Sequence, residues 1–371
     1  MRVGVPKEIK VLEHRVGLTP ASVRELVHHG HSVHVERNAG QGIGVGDDDY
    51  RREGAAIAPT AADVFAQCEL IVKVKEPQAV ERAMLGPGHV LFTYLHLAPD
   101  PDQARELVAS GAVCIAYETV TSPAGGLPLL APMSEVAGRL AVQAGAHYLE
   151  KAQGGRGVLL GGVPGVAPAN VVVLGGGVVG THAIEIALGM GARVTVLDRS
   201  VDVLKRLWSH YGAALQTIFS TVDAIERFVA DADLVIGGVL IPGAAAPKLV
   251  TRAMIAEMRP GSVVVDVAID QGGCFETSRP TTHADPVYVV DDVVHYCVAN
   301  MPGGVPRTST FALNNATLPF VLAIADNGWN RALADDVHLL HGLNVAAGRV
   351  TCRPVADALG YPYAEPGTAL G

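Results

Sequence analysis

The sequence predicts an α/β protein of two doubly wound parallel-sheet domains, separated by a cleft and linked by long helices. Three observations carry this. Short β-rich runs alternate with helix-like segments through the first third. The same alternation restarts at Val171, behind which stands a glycine-rich turn. At 371 residues the chain exceeds what one core comfortably fills, since domains run to roughly 150 residues.

In chain order, the runs 2–5, 32–36, 70–75, 90–94 and 113–117 read as strands. Between them, Thr19-Pro20 is an N-cap followed by proline at the first helical position, with Val23, Leu26 and Val27 at helical spacing and Gly30 as the stop. Residues 101–110, closed by Gly111, repeat the pattern. Residues 132–151 read as one long helix with Val136, Leu140, Ala144 and Tyr148 on a face, followed by a glycine-rich loop at 154–165. The second series has strands at 171–174, 193–197, 234–237 and 262–267, with 287–290 adding another. After Arg307 the pattern turns helical over 311–326 and 330–347. We expect residues 1–131 and 308–371 to form a substrate domain and 132–307 a nucleotide-binding domain.

Composition excludes several classes. A net charge of −9 with no basic cluster argues against nucleic acid as a partner. Five scattered cysteines without CxxC spacing suggest neither a disulfide framework nor a zinc site, and fit a reducing, cytoplasmic setting. The N-terminus lacks the apolar core of a signal peptide. The most membrane-like stretch, 170–192, is broken by glycines and by Thr181, His182 and Glu185, and reads as a buried strand, turn and helix.

That stretch holds the most specific motif. Val171-Val172-Val173-Leu174 runs into Gly175-Gly176-Gly177-Val178-Val179-Gly180, an apolar helix follows, and a second strand ends at Asp198. Each position has a physical task in a Rossmann-like unit: Gly175 makes the tight turn, Gly177 lets the backbone approach a pyrophosphate, and Gly180 lets helix and strand pack closely. The helix N-terminus stabilises the anion, and the Asp198 carboxylate accepts from the ribose hydroxyls and repels a 2′-phosphate, which favours NAD. Arg199 can reach a phosphate, so NADP stays open from these residues alone.

Candidate chemistry lies at strand ends. Lys73 and Lys75 close one run, and alternation puts both on one face without choosing between them. His96 stands at the end of the run 90–94, where ligands of open α/β sheets bind, and can exchange a proton near neutral pH. Asp270 lies in the loop past 262–267, while Asp266, inside the run, reads as structural. Arg15, ahead of the Thr19 cap, can anchor a carboxylate through its planar fork.

Met1-Arg2-Val3-Gly4-Val5-Pro6-Lys7-Glu8, Arg15-Val16-Gly17-Leu18-Thr19-Pro20, Pro132-Met133-Ser134-Glu135-Val136-Ala137-Gly138, the glycine turn, Asn300-Met301-Pro302-Gly303 and Pro306-Arg307-Thr308-Ser309-Thr310 together resemble the alanine dehydrogenase family, nearly end to end. That family is related to the nucleotide-binding part of pyridine nucleotide transhydrogenase. The resemblance implies reversible oxidative deamination of L-alanine to pyruvate and ammonia with NAD, in a cytoplasmic homohexamer, with no metal. It selects Lys75 over Lys73 and implies that Arg15 and Lys75 hold the substrate while His96 and Asp270 move protons. It further implies cofactor contacts from Ser134, Gly175, Gly177, Val178, Val179, Gly180, Asp198, Ser220, Val239, Leu240, Val267, Ala268, Ile269, Asp270, Arg279, Val298, Ala299, Asn300 and Met301. The chain departs from the family at Val203, where members often carry a basic residue that Arg199 or Lys205 would replace, and at Gly304, where alanine is usual. A transhydrogenase subunit and an NAD-binding protein without catalysis are the competing readings.

Overall fold

The strand β1 (Arg2–Val5) buries three of its four residues, the pattern of a strand covered on both faces. β2 (Ser32–Glu36), β3 (Ala56–Ala58), β4 (Leu70–Val72), β5 (Val90–Thr93) and β6 (Val113–Ala116) follow, and every residue of β4, β5 and β6 is buried. The helix Pro20–His28 starts where the Thr19 hydroxyl accepts the Ser22 N–H, and Pro101–Ser110 where the Asp100 carboxylate accepts that of Gln103. The helix Ala131–Tyr148 leads to β7 (Asn170–Leu174), β8 (Arg193–Asp198), β9 (Leu215–Phe219), β10 (Leu234–Gly237), β11 (Val263–Asp266), β12 (Val287–Val290) and β13 (Val293–Tyr296). A long helix, Pro306–Asn327, then precedes β14 (Leu343–Ala346) and β15 (Arg349–Val350). This computed structural model describes residues 1–239 and 246–370.

The chain divides into two units, Met1–Met133 with Val305–Gly371, and Ser134–Gly304. In the first the strand order is β15-β14-β6-β5-β4-β1-β2-β3, and in the second β12-β13-β11-β10-β7-β8-β9. The strands β1 to β6 pair in parallel, as do β7 to β11 and β13. Antiparallel pairing is confined to one edge of each sheet, at β14 and β15 in the first and at β12 in the second. The expected architecture of two parallel-sheet α/β domains is therefore the one observed. In both sheets the strand order reverses beside the first strand, between β1 and β4 and between β7 and β10, and ligands of such sheets bind outside the carboxyl ends at that point.

Alternation explains the apolar runs. Val171 and Val173 enter one core cluster of the second unit while Val172 and Leu174 enter another, and Val263 and Val265 part from Val264 in the same way. Two expectations fail locally. Residues 330–347 are not one helix: Asp336 is extended, its carboxylate accepts the N–H groups of His338 and Leu339, and this splits the segment into Trp329–Asp335 and Val337–Leu340. Leu343 and Val345 then pair with β6 and are buried, so tertiary pairing overrides the helical reading. The run 70–75 also stops as a strand at Val72, and the alternation invoked for Lys73 and Lys75 does not extend to them.

Candidate functional site

In the first unit, Arg15 follows β1, Lys75 follows β4, His96 follows β5 and Glu118 follows β6, and these four strands are consecutive neighbours in the sheet. Parallel pairing puts all their carboxyl ends on one edge. Arg15 is buried, 2% exposed, and its Nε and Nη2 bond the two carboxylate oxygens of Glu13 at 2.7 and 2.6 Å. Glu13 also accepts the Arg15 backbone N–H, at 3.0 Å, and Nη1 points at Met133 Sδ, 3.1 Å away. Such a two-pronged pair fixes the plane of the guanidinium.

The two lysines have opposite environments. Lys73 is fully buried, with its ammonium 2.7 Å from Glu81 and 3.2 Å from Glu8. Burial pulls its pKa down, but the two carboxylates more than offset this and hold it above the usual lysine value. Lys75 is half-buried. The structure thus separates what alternation left together, because the strand ends before either lysine.

His96 has a positive φ of 48°, a strained conformation for a residue with a Cβ. Glu118 compensates by accepting the N–H of His96 at 2.6 Å and that of Leu95 at 3.1 and 3.2 Å. The imidazole is 44% exposed, with Nδ1 3.7 Å from Glu118, and stacks on Tyr94 with centroids 5.8 Å apart. Tyr94 is itself anchored by its hydroxyl to the Leu129 carbonyl at 2.5 Å.

In the second unit, the glycine turn leaves the carboxyl end of β7. Gly175 has φ +93°, and a Cβ at Gly180 would lie 1.8 Å from the Gly175 carbonyl oxygen. A Cβ at Gly177 would meet nothing within 4 Å, which leaves open the space a pyrophosphate needs. The helix Val178–Gly189 begins with no side-chain cap, so Val178 and Val179 stand in a first turn whose N–H groups suit an anion. Asp198, at the end of β8, accepts the N–H groups of Gly176 and Ser200, both at 2.7 Å. Arg206 donates to the Gly176 carbonyl at 2.8 Å. Arg206 is thus a cation at the turn, and Val203 comes within 2.6 Å of where a Gly176 Cβ would sit.

The other candidates occupy carboxyl ends of the same sheet. Ser220 follows β9 and its N–H bonds the Asp198 carbonyl, and Val239 follows β10. Leu240 lies outside the described residues. Val267, Ala268, Ile269 and exposed Asp270 form a 3-10 turn, Val267–Gln271, past β11. Asp266 clamps that loop from inside, accepting the N–H groups of Ala268 and Cys274 at 3.1 and 2.9 Å and the Ser278 hydroxyl at 2.5 Å. Lys248 holds its far end through the carbonyls of Gly272, Gly273 and Phe275. Val298, Ala299, Asn300 and Met301 follow β13. A Cβ at Gly304 would press on the His283 ring at 2.7 Å, and that ring bonds the Asn300 carbonyl at 3.1 Å, so the glycine suits this histidine. Ser134 sits near the start of the helix Ala131–Tyr148, and Arg279 is exposed with its guanidinium 4.1 Å from the Tyr288 ring centroid.

The sequence reading overlooked Glu8, Glu13, Glu118, Arg206 and Lys248. An acidic residue directly after an apolar run, as Glu118 follows 113–117, is the one signal that pointed to them. Comparison with known proteins gives a family match over most of the chain. The model described as "Alanine dehydrogenase/PNT, N-terminal domain" matches residues 4–137, and "Alanine dehydrogenase/PNT, C-terminal domain" matches residues 141–353. A curated relative from Halomonas elongata, named alanine dehydrogenase, is 62% identical over 371 residues and 100% of both chains. A solved structure named L-alanine dehydrogenase superposes with a TM-score of 0.94 at 52% identity, over 97% of this chain and 99% of that one. A transhydrogenase structure from Sinorhizobium meliloti gives 0.81 at 26% identity, over 95% and 99%.

Proposed function

The chain belongs to the alanine dehydrogenase family, and on that footing we propose that it interconverts L-alanine with pyruvate and ammonia by NAD-dependent oxidative deamination. It is an oxidoreductase of the amino-acid dehydrogenase class. The observation that carries the reaction is that Lys75 and His96 follow the carboxyl ends of the neighbouring strands β4 and β5, with buried Arg15 in the loop that follows the adjacent β1. A two-carbon-plus-methyl substrate with one carboxylate and one amino or oxo group needs few contacts: a fork for the carboxylate, a cation for the oxo oxygen, and a group that exchanges protons.

Arg15, turned by Glu13, binds the carboxylate. Lys75 polarises the oxo or imino carbon and stabilises the oxygen charge that grows there. His96 takes a proton from water as it attacks the iminopyruvate carbon, and returns one to departing ammonia. Asp270 is the second candidate for that proton, and its clamped loop limits where its carboxylate can go. NAD, when bound, supplies the acceptor for the hydride leaving Cα. Gly177, the uncapped turn at Val178 and Val179, and Asp198 would hold it, and the Asp198 charge disfavours the 2′-phosphate of NADP. The identity to alanine dehydrogenases, at 62% against 26% for the transhydrogenase, favours this reading over a transhydrogenase subunit.

Family membership also supports a cytoplasmic homohexamer. Among the described residues no helix is long and apolar enough to cross a membrane. The test is the absorbance of NADH, formed with L-alanine and consumed with pyruvate plus ammonium. Absence of turnover in both directions sinks the proposal. His96→Ala should lower kcat by about 10²–10⁴-fold while NADH binding, followed by fluorescence, stays intact; loss of both would make His96 structural.

A further inference from the structure

The opening segment Met1 to Glu8 belongs to the family pattern, yet the reaction as described gives its side chains no task. Glu8 is 6% exposed and sits just past β1. Its Oε1 accepts the N–H of Val74 at 2.7 Å and that of Lys75 at 3.4 Å, and its Oε2 accepts from the Lys73 ammonium at 3.2 Å. From the other side, the Tyr94 N–H donates to the Val74 carbonyl at 3.3 Å and the Thr93 hydroxyl to the Lys75 carbonyl at 2.9 Å. Residues 74 and 75 lie beyond the end of β4, where the backbone bonding to the continuation of β5 ends with the Tyr94 N–H on the Val74 carbonyl. Their N–H groups are held by Glu8 and their carbonyls by the chain that leads into His96.

We propose that Glu8 is a positioning residue for Lys75: its carboxylate fixes the backbone from which the Lys75 ammonium reaches the substrate. The role rests on the reaction assigned above, in which Lys75 touches the oxo group. Two lysines then divide the labour. Lys73 is the buried counterion that Glu8 and Glu81 share, and Glu81 itself accepts the Gln78 N–H at 2.8 Å. Lys75 is the working cation. Glutamine cannot replace Glu8 without loss, because its amide nitrogen would place a donor against the Lys73 ammonium.

Glu8→Gln and the pair Glu8→Leu with Lys73→Met separate positioning from neutralisation. The double variant removes one group of each sign from the buried cluster, so its formal net charge is unchanged and Glu81 keeps its bond from the Gln78 N–H, yet nothing accepts the two N–H groups. In both variants kcat/KM for pyruvate should fall on the order of 10²-fold, mostly through KM, with NADH affinity unchanged. Hydrogen exchange at the Val74 and Lys75 amides should accelerate. Wild-type KM in the double variant would mean that Glu8 only neutralises Lys73, and would overturn the proposal, as would unchanged exchange at those amides. If Glu8→Gln fails to fold, the double variant still decides. The exchange measurement needs no turnover, so a failure of the alanine reaction in the wild-type protein is read separately.

Discussion

At the scale of single residues, the contrast between Lys73 and Lys75 is the most informative. They are two positions apart and of one type, yet the Lys73 ammonium is fully buried between two carboxylates while Lys75, past the strand end, is a half-buried residue. Removing one partner of a buried ion network leaves uncompensated charge and costs about 3–5 kcal/mol. Lys73→Met should therefore lower Tm clearly while KM for pyruvate in the folded fraction stays near wild type. Lys75→Met should do the reverse, with Tm little changed and kcat/KM falling by about 10²–10³-fold, the usual effect of deleting one electrostatic contact to a reacting oxygen. Denaturation curves and steady-state kinetics on both variants check this. Equal losses of Tm in the two would mean that Lys75 is structural as well. Spacing in the sequence could not make this distinction, since it depends on where the strand stops.

At the scale of elements, the glycine turn separates a glycine demanded by packing from one demanded by a ligand. A methyl at Gly180 would meet backbone, 1.8 Å from the Gly175 oxygen, and backbone there cannot move without breaking the strand-to-helix turn. A methyl at Gly177 would meet nothing in the protein. Gly180→Ala should thus lose both stability and NADH binding, whereas Gly177→Ala should keep the wild-type Tm and still weaken NADH binding, measured by fluorescence titration. Wild-type affinity in Gly177→Ala would place the pyrophosphate elsewhere. This turn was legible because strand, glycines, helix and acidic residue stand in one run of sequence. Most fully buried strands were legible too, as apolar runs, although β13, buried at every residue, was not read. The edge strand β12 was read as well, but three others were not: β3 has three residues, β9 is half-exposed, and β14 takes its strand conformation from pairing with β6 rather than from its own composition. Among candidate site residues, side chains at strand ends could be picked out by type and place. The carboxylates that hold them, Glu8, Glu13 and Glu118, looked like solvated charge, because what they accept from is brought to them only by the fold.

At the scale of the whole molecule, the chain leaves its first unit after Met133 and returns at Val305, so the segment that carries Arg15 is finished by residues made last. The helix Pro306–Asn327 supplies Asn314, which is 2% exposed and serves this segment with both ends of its amide. Its oxygen accepts the Thr19 N–H at 3.0 Å and hydroxyl at 2.9 Å, and its nitrogen donates to the Gly17 carbonyl at 2.8 Å. Four residues earlier along the helix, the Thr310 hydroxyl accepts the Val16 N–H at 3.3 Å. The loop between Arg15 and the Thr19 cap is therefore braced from a helix some 295 positions away in sequence. Asn314→Ala would leave the Gly17 carbonyl and Thr19 N–H buried without that partner, at about 1–3 kcal/mol for each group left unsatisfied. The loop would escape part of this by moving, and Arg15 would move with it. The expected outcome is a raised KM for pyruvate, faster hydrogen exchange over residues 16–19, and an unchanged NADH affinity, because the glycine turn belongs to the other unit. Weakened NADH binding with normal KM for pyruvate would contradict the assignment of substrate to the first unit and cofactor to the second.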